Sequence, residues 1–234
     1  MLISSQKEAD EIFKKLSKEK VVAIDSEFQW TSTYGPIPAL IQLGTANEVF
    51  LIDPLEIGDL TSFKEFLETP DCTKVFHSCS QDLILFMGMC DAITAPIFDT
   101  QIAWAFLSSN HQISYGGLVE SITGEVLSKG SQRSNWLRRP LSPTQIEYAK
   151  NDVTWLFKCH NALEKKLHEL DRYDWNRSEC SILESSSFHQ SPEPKNLYKK
   201  IRGTGRLNRD QLSVMRELCA WREKTAMKIN TRPK

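Results

Sequence analysis

Val21-Val22-Ala23-Ile24-Asp25-Ser26-Glu27-Phe28 is the run that decides the fold. It is apolar and β-branched, the composition of a buried strand, yet two carboxylates interrupt it. Side chains two apart on a strand leave the same face, about 6.6–6.8 Å apart along the axis. Asp25 and Glu27 therefore point into one place. Burial and mutual repulsion there would drive protonation unless a divalent cation intervened. An exposed strand edge with incidental acids is the plainer reading of this pair taken alone.

Working outward, Ala9, Ile12, Phe13 and Leu16 fall at helical spacing before the strand. After it, Gly35, Pro36 and Pro38 mark a turn, and residues 39–46 and 49–53 read as two strands of a hairpin closed at Asn47-Glu48. A helix over 60–67, a strand over 74–78 and a helix over 81–87 capped by Ser80 follow. Ile97-Phe98 is a short strand, Asp99 caps a helix over 100–107, and 116–122 is helical. Residues 128–141 form a polar, basic loop. Ser142 and Pro143 then start a long helix that runs to about Leu170. Residues 185–194 have linker composition. An amphipathic piece over 197–201 and a helix over 209–228 close the chain. This order predicts an α/β layered domain with a mixed sheet.

Two further acid positions join the first. Asp82, in HSCSQD, opens a helix after a strand, where an acid ordinarily just favours the helix dipole. Tyr148 and Asp152, in QIEYAKNDV, are four apart on the long helix and share a face, with Cβ atoms about 5–6 Å apart. Val153, Leu156 and Phe157 mark the buried side nearby, so Asp152 lies where an unpaired acid is costly. A pair on the rim of the helix is the alternative. Read in order, D-x-E, H-x-x-x-x-D and Y-x-x-x-D supply four acids and a tyrosine. Two-metal phosphodiester hydrolysis asks for such a set. Hard oxygen ligands suit two divalent cations, Mg²⁺ or Mn²⁺, rather than zinc.

Composition narrows the setting. The 234 residues are 40% hydrophobic and 25% charged, enough for a sizeable core without disulfide or metal staples. No apolar run approaches the length of a membrane span, and MLISSQKEADEIFKKL has no signal-peptide core. Cys72, Cys79, Cys90, Cys159, Cys180 and Cys219 include no C-x-x-C pair. These features predict a cytoplasmic protein with ordinary thiols and no membrane partner. Charge is uneven: residues 195–234 hold 12 Lys and Arg against 3 Asp and Glu, while the whole chain holds 29 against 30. The basic end reads as a phosphate handle.

VAIDSEF, KVFHSCSQDLILF, FDTQIAWAF and WLRRPLSPTQIEYAKNDVTWL together resemble ribonuclease D. That family belongs to the DEDD 3′–5′ exonucleases, in the subgroup with a tyrosine in the last motif. The likeness runs over about residues 1–175. It implies an RNase-H-like (DnaQ-like) mixed sheet flanked by helices: an exonuclease domain over 1–175, a linker over 176–194 and a basic helical appendage over 195–234. The appendage resembles the first helix of a helicase-and-ribonuclease-D C-terminal domain. A lone helix with the stripe Leu212, Met215, Leu218 and Cys219 needs something to cover it: the nuclease itself, another chain, or the rest of a truncated domain.

By the same resemblance, Asp25, Glu27 and Asp152 would hold the cation that activates water. Asp25 would bridge to a second cation, which Asp82 would reach through water. Tyr148 would orient the attacking water or take its proton. Phe28 would stack on the terminal base or simply pack in the core. His77 and Gln81 would contact the nucleotide, or His77 would be structural. Arg133, Arg138 and Arg139 would bind phosphates, or merely line a solvated loop. The implied substrate is RNA with a free 3′ end, tRNA precursors above all, and the implied state is a monomer. A DNA exonuclease of the same fold, or a non-catalytic nucleic-acid-binding protein on a nuclease core, are the alternatives.

Overall fold

The computed structural model describes residues 2–127, 130–189 and 193–233. The chain forms two compact units, Met1–Gln29 with Pro38–His189, and Trp30–Ile37 with Gln190–Lys234.

The sheet has six strands: β1 (Leu2–Ile3), β2 (Val21–Gln29), β3 (Ile37–Gly44), β4 (Val49–Ile52), β5 (Thr73–Phe76) and β6 (Ile97–Asp99). Their spatial order is β1-β4-β3-β2-β5-β6. β3 and β4 pair antiparallel, as the tight connection at Asn47-Glu48 requires, whereas β1–β4, β2–β5 and β5–β6 pair parallel. The sheet is therefore mixed, as the element order predicts.

Helices cover both faces. On one side lie α1 (Gln6–Leu16), α2 (Thr61–Leu67) and α3 (Ser80–Cys90). There Phe13, Phe63, Phe66 and Phe86 pack on Val22, Ile24, Ile41 and Leu43. On the other side lie α4 (Thr100–Leu107), α5 (Tyr115–Thr123) and α6 (Pro143–Glu169). Ala23, Val75 and Phe98 meet Leu118, Val153, Leu156 and Leu163 on that side. The alternation along β2 sends Val22 and Ile24 to the first side and Ala23 to the second.

The position of α6 has a local cause. Ser142 and Gln145 form a capping box and Pro143 occupies the first turn, so the helix starts at a fixed point. Gly44 then lets it approach the sheet. A Cβ at this position would lie 2.9 Å from Val153 Cβ and 3.2 Å from the Val153 carbonyl oxygen. Val153 follows Asp152, so the missing side chain at Gly44 sets the height at which Asp152 is held.

Some elements differ from the sequence reading. Ser80 lies inside α3, with Cys79 at the cap position and no side-chain cap bond. Asp99 serves this turn instead. Its carboxylate accepts from the backbone N–H of Ser78 (3.0 Å) and Cys79 (2.9 Å), and from Gln101 (2.8 Å) at the start of α4. It thereby secures Ser78 in a left-handed backbone conformation, φ 62°. The segment 176–194 opens with ordered helix: α7 (Tyr173–Leu183) and α8 (Ser186–His189) belong to the first unit, with Asn176 and Cys180 buried. Residues 190–192 of that segment, and 128–129 of the basic loop, lie outside the described residues.

The second unit contains 3₁₀ segments at Pro194–Lys200 and Thr204–Arg206 and the helix α9 (Arg209–Lys228). Asn208 and Gln211 make its capping box. α9 buries Cys219, Ala220 and Ala226 but leaves Leu218 and Trp221 exposed. The Trp30–Ile37 segment, expected as a simple turn, is tied into this unit. Tyr34 Oη donates to Glu223 (2.8 Å), Tyr34 N–H to Asn230 Oδ1 (3.2 Å), and Arg232 N–H to the Ser32 carbonyl (3.2 Å). The six cysteines are free.

Gly44→Ala should push α6 off β3. Overpacking of this kind costs about 1–3 kcal/mol, to be read as a lower urea midpoint at unchanged slope. An unchanged midpoint would show that the close approach is not needed.

Candidate functional site

Alternation on β2 places Asp25 and Glu27 on the α6 side of the sheet, next to Ala23. α6 brings Asp152 down from above. One carboxylate oxygen from each of Asp25, Glu27 and Asp152 lies within 4.8 Å of the others, the spacing of ligands around a single ion. Asp152 is 6% exposed, and its Oδ2 is buried without a hydrogen-bond partner. A buried anionic oxygen left unpaired is expensive, and a cation satisfies it. The residues present thus fit a divalent cation bound by hard oxygen donors.

The electrostatics agree. Burial, then the Asp152 charge, holds the Asp25 carboxyl well above its usual range. Burial and the charges of Asp25, Asp152 and Asp82 push Glu27 up to about 9. Burial raises Asp152 to about 7. The four acids oppose one another in a poorly solvated place, and without a counterion each is pressed to keep a proton.

Asp82 stands beside this group and approaches from the opposite side of the sheet. It lies in the first turn of α3, buried, and accepts a hydrogen bond from Ser26, the residue between the two β2 acids, which points the other way. Burial and the Asp25 charge raise Asp82 to about 8, while the Ser26 bond opposes the shift. Asp82 therefore feels Asp25 and Glu27 without sharing the three-carboxylate cluster.

Tyr148 projects from α6 one turn before Asp152. Its ring packs on Trp136 with centroids 6.0 Å apart. Burial and the charges of Asp152, Glu27 and Asp25 raise its phenol, against a side-chain hydrogen bond with Gln132. The hydroxyl stays protonated and is a donor at any ordinary pH. Asp25, His77, Tyr115, Gln132, Tyr148 and Asp152 surround a cavity of about 120 Å³. A larger cleft, about 340 Å³, opens beside it along Thr144, Glu147, Tyr148, Asn151 and Asp152.

Other residues singled out from the sequence divide. Arg138 and Gln81 are exposed. Arg139 is not free for a phosphate. All five guanidinium N–H groups are spent, on both oxygens of Asp53 (2.5 and 2.7 Å) and on the carbonyls of Trp136, Arg138 and Ala39. Asp53 is buried and claims the charge, so Arg139 clamps the loop before α6 onto β3 and β4. His77 is also engaged. Nδ1 meets Thr100 Oγ1 (3.0 Å) and Nε2 meets the Ile113 carbonyl (3.1 Å), which can only accept. Burial lowers its pKa, as suits a neutral ring. Phe28 packs on the α1–α3 core, the face opposite Asp25 and Glu27, and remains partly exposed.

Sequence reasoning missed Ser26, Gln132 and Tyr115. Tyr115 Oη donates to the backbone carbonyl of Asp152 and fixes the turn that carries it. Ser26 was legible as the alternate position inside D-x-E. Gln132 and Tyr115 carry no spacing signal.

A β-sheet of this order with three converging carboxylates, an adjacent fourth and a tyrosine fits a nuclease-like hydrolase. A family model described as 3′–5′ exonuclease matches residues 1–168, and the chain belongs to that family. Its relatives include ribonuclease D of Pseudomonas paraeruginosa, 38% identical over 91% of this chain and 56% of the relative. Ribonuclease D of Xanthomonas oryzae pv. oryzae is 41% identical over 74% of this chain and 47% of its own length. The crystal structure of Escherichia coli RNase D superposes with a TM-score of 0.94 at 29% identity, over 99% of this chain and 62% of that one. The catalytic core of RRP6 from Trypanosoma brucei shares the fold, with a TM-score of 0.76 at 23% identity over 99% of this chain and 65% of that one. The resemblance to ribonuclease D read from the motifs is thereby shown. The chain spans about half the length of the curated relatives it matches. Among the described residues no helix is long and apolar enough to cross a membrane.

A carboxyl whose folded pKa is raised binds more protons folded than unfolded, so its contribution to stability is lost as pH rises. In EDTA, the unfolding free energy of the wild type should fall relative to that of Asp152→Asn between the ordinary value, 3.8, and about 7. A constant difference across that window would show that burial does not raise the Asp152 carboxyl. Separately, Arg139→Ala leaves Asp53 buried and unpaired, and should cost about 3–5 kcal/mol in urea unfolding. A loss within experimental error would mean that the clamp is dispensable.

Proposed function

We propose that the chain is a divalent-metal-dependent 3′–5′ exoribonuclease, which removes nucleotides one at a time from an RNA 3′ end as nucleoside 5′-monophosphates. The single observation that carries this reading is the convergence of Asp25, Glu27 and Asp152 around an orphaned carboxylate oxygen. Kinship with ribonucleases D supports it.

In this reading Asp25, Glu27 and Asp152 would hold one cation, and Asp25 and Asp82 would serve a second. Either Mg²⁺ or Mn²⁺ suits such donors. When bound, such a cation pair supplies an activated water and charge stabilisation for the leaving oxygen. The chain's own residues do the rest. Tyr148 would donate a hydrogen bond to the attacking water and orient it. Ser26 fixes the Asp82 carboxylate, and Tyr115 fixes the backbone at Asp152. The cleft along Thr144, Glu147 and Asn151 leads to the acids and takes the terminal nucleotide.

Residues 1–175 act as the exonuclease domain, and 195–234 as a basic segment that meets RNA phosphates. Residues 176–194 connect them in sequence. Arg138 and Gln81, both exposed, and the uncovered part of Phe28 serve as secondary RNA contacts. His77 keeps its place as a neutral wall of the site. The substrates are structured RNAs with 3′ extensions, tRNA precursors foremost, and the enzyme works as a cytoplasmic monomer.

Asp25→Asn or Asp152→Asn should abolish hydrolysis of a 3′-extended tRNA transcript while RNA binding, followed by filter retention, stays within about twofold. Undiminished metal-dependent cleavage by either variant would refute the site. Tyr148→Phe should keep Mn²⁺ binding but lose about 10²-fold in kcat, the usual cost of a misplaced reacting group. Full activity would remove the hydroxyl from the mechanism. Equal digestion of single-stranded DNA in the same assay would move the assignment to a DNA exonuclease. Binding without any hydrolysis would move it to an adaptor.

A further inference from the structure

Gln42 is fully buried, and neither its amide nitrogen nor its carbonyl oxygen meets a protein hydrogen-bond partner. A leucine at this place would bury the same volume without the penalty of two desolvated polar groups. Something other than packing holds the amide there.

Its surroundings follow from the register. Ile41 and Leu43 face the α1–α3 core. Leu40 clusters with Ala149 of α6, and a Cβ on Gly44 would meet Val153. Gln42 lies between Leu40 and Gly44 on that same face. Its partner across β4, Leu51, belongs to the Ala149 cluster as well. Gln42 thus lies beneath the α6 turn from Ala149 to Val153, the turn that carries Asp152. β2 is the neighbouring strand on the other side, and the face it presents here bears Asp25 and Glu27. The orphaned amide and the orphaned Asp152 Oδ2 therefore share one layer between the sheet and α6.

We propose that Gln42 is a positioning residue for the metal centre. Its amide N–H, through one bound water, donates to the carboxylates of Asp152 and Asp25 and fixes the orientation in which they take the cation. A glutamine is suited to this as leucine and glutamate are not. Leucine offers no donor, and glutamate would add a fourth charge to the layer. The inference rests on the proposed metal centre, and it accounts for a buried polar group that stability alone would remove.

The test compares wild type, Gln42→Leu and Gln42→Met. Three quantities are measured: thermal midpoint, Mn²⁺ affinity by calorimetry, and kcat and KM on a 3′-extended RNA. Both variants should melt at or above the wild-type midpoint. Both should bind Mn²⁺ about 10–100-fold more weakly, the usual effect of losing a partner behind a metal ligand. kcat should fall by about tenfold or more, with KM for RNA unchanged. Wild-type Mn²⁺ affinity and kcat in a variant that melts at or above the wild-type midpoint would overturn the positioning role and leave the metal centre standing. Should leucine fail to fold, methionine, unbranched and adaptable, decides the matter by the same two quantities. A wild type that binds no Mn²⁺ would instead overturn the metal centre and the role of Gln42 together.

Discussion

Like charges in a poorly solvated place cannot coexist without a counterion, and this constraint organises the first unit. Asp25, Glu27 and Asp152 bring carboxylate oxygens within 4.8 Å of one another, and Asp82 stands close enough to raise Glu27 further. Two acids on one strand could have faced solvent. Here the sheet, α3 and α6 leave Asp25 and Glu27 only partly exposed, and the repulsion raises their pKa values, a penalty that a cation would relieve.

The rest of the fold serves that convergence from two directions. β2 carries Asp25 and Glu27 on one face and Ser26 on the other, so a single strand addresses both layers of helices. From below, Asp99 braces the turn that launches α3 and with it Asp82. From above, Gly44 lets α6 settle on β3, Arg139 pins the loop that leads into it, and Tyr115 holds the Asp152 backbone. Each removes a degree of freedom from a carboxylate, as a site that must hold geometry against its own repulsion requires.

Much of this was legible in the sequence because the strong signals are local. Alternation exposed the two acids of β2, Ser142 and Pro143 announced α6, Asp99 announced α4, and four-residue spacing linked Tyr148 to Asp152. What escaped depends on distant partners. Spacing does not tell from which face α3 reaches the site, so the bond by which Ser26 holds Asp82 was not foreseen. Arg139 looked like a phosphate ligand because a basic residue in a polar loop usually is solvent-facing; buried Asp53, 86 positions away, claims it. The Gly35-Pro36 turn gave no sign that Tyr34 and Ser32 would be bound by residues of the C-terminal segment. Gln42, one polar residue in an apolar strand, carries no pattern until its burial and missing partners are seen together.

Whether the three carboxylates converge on a cation can be seen by anomalous diffraction from a Mn²⁺-soaked crystal. The expected map holds a manganese peak coordinated by one oxygen each from Asp25, Glu27 and Asp152, the last through the Oδ2 that now has no partner. Manganese density elsewhere, with these three carboxylates hydrogen-bonded among themselves as protonated acids, would contradict it.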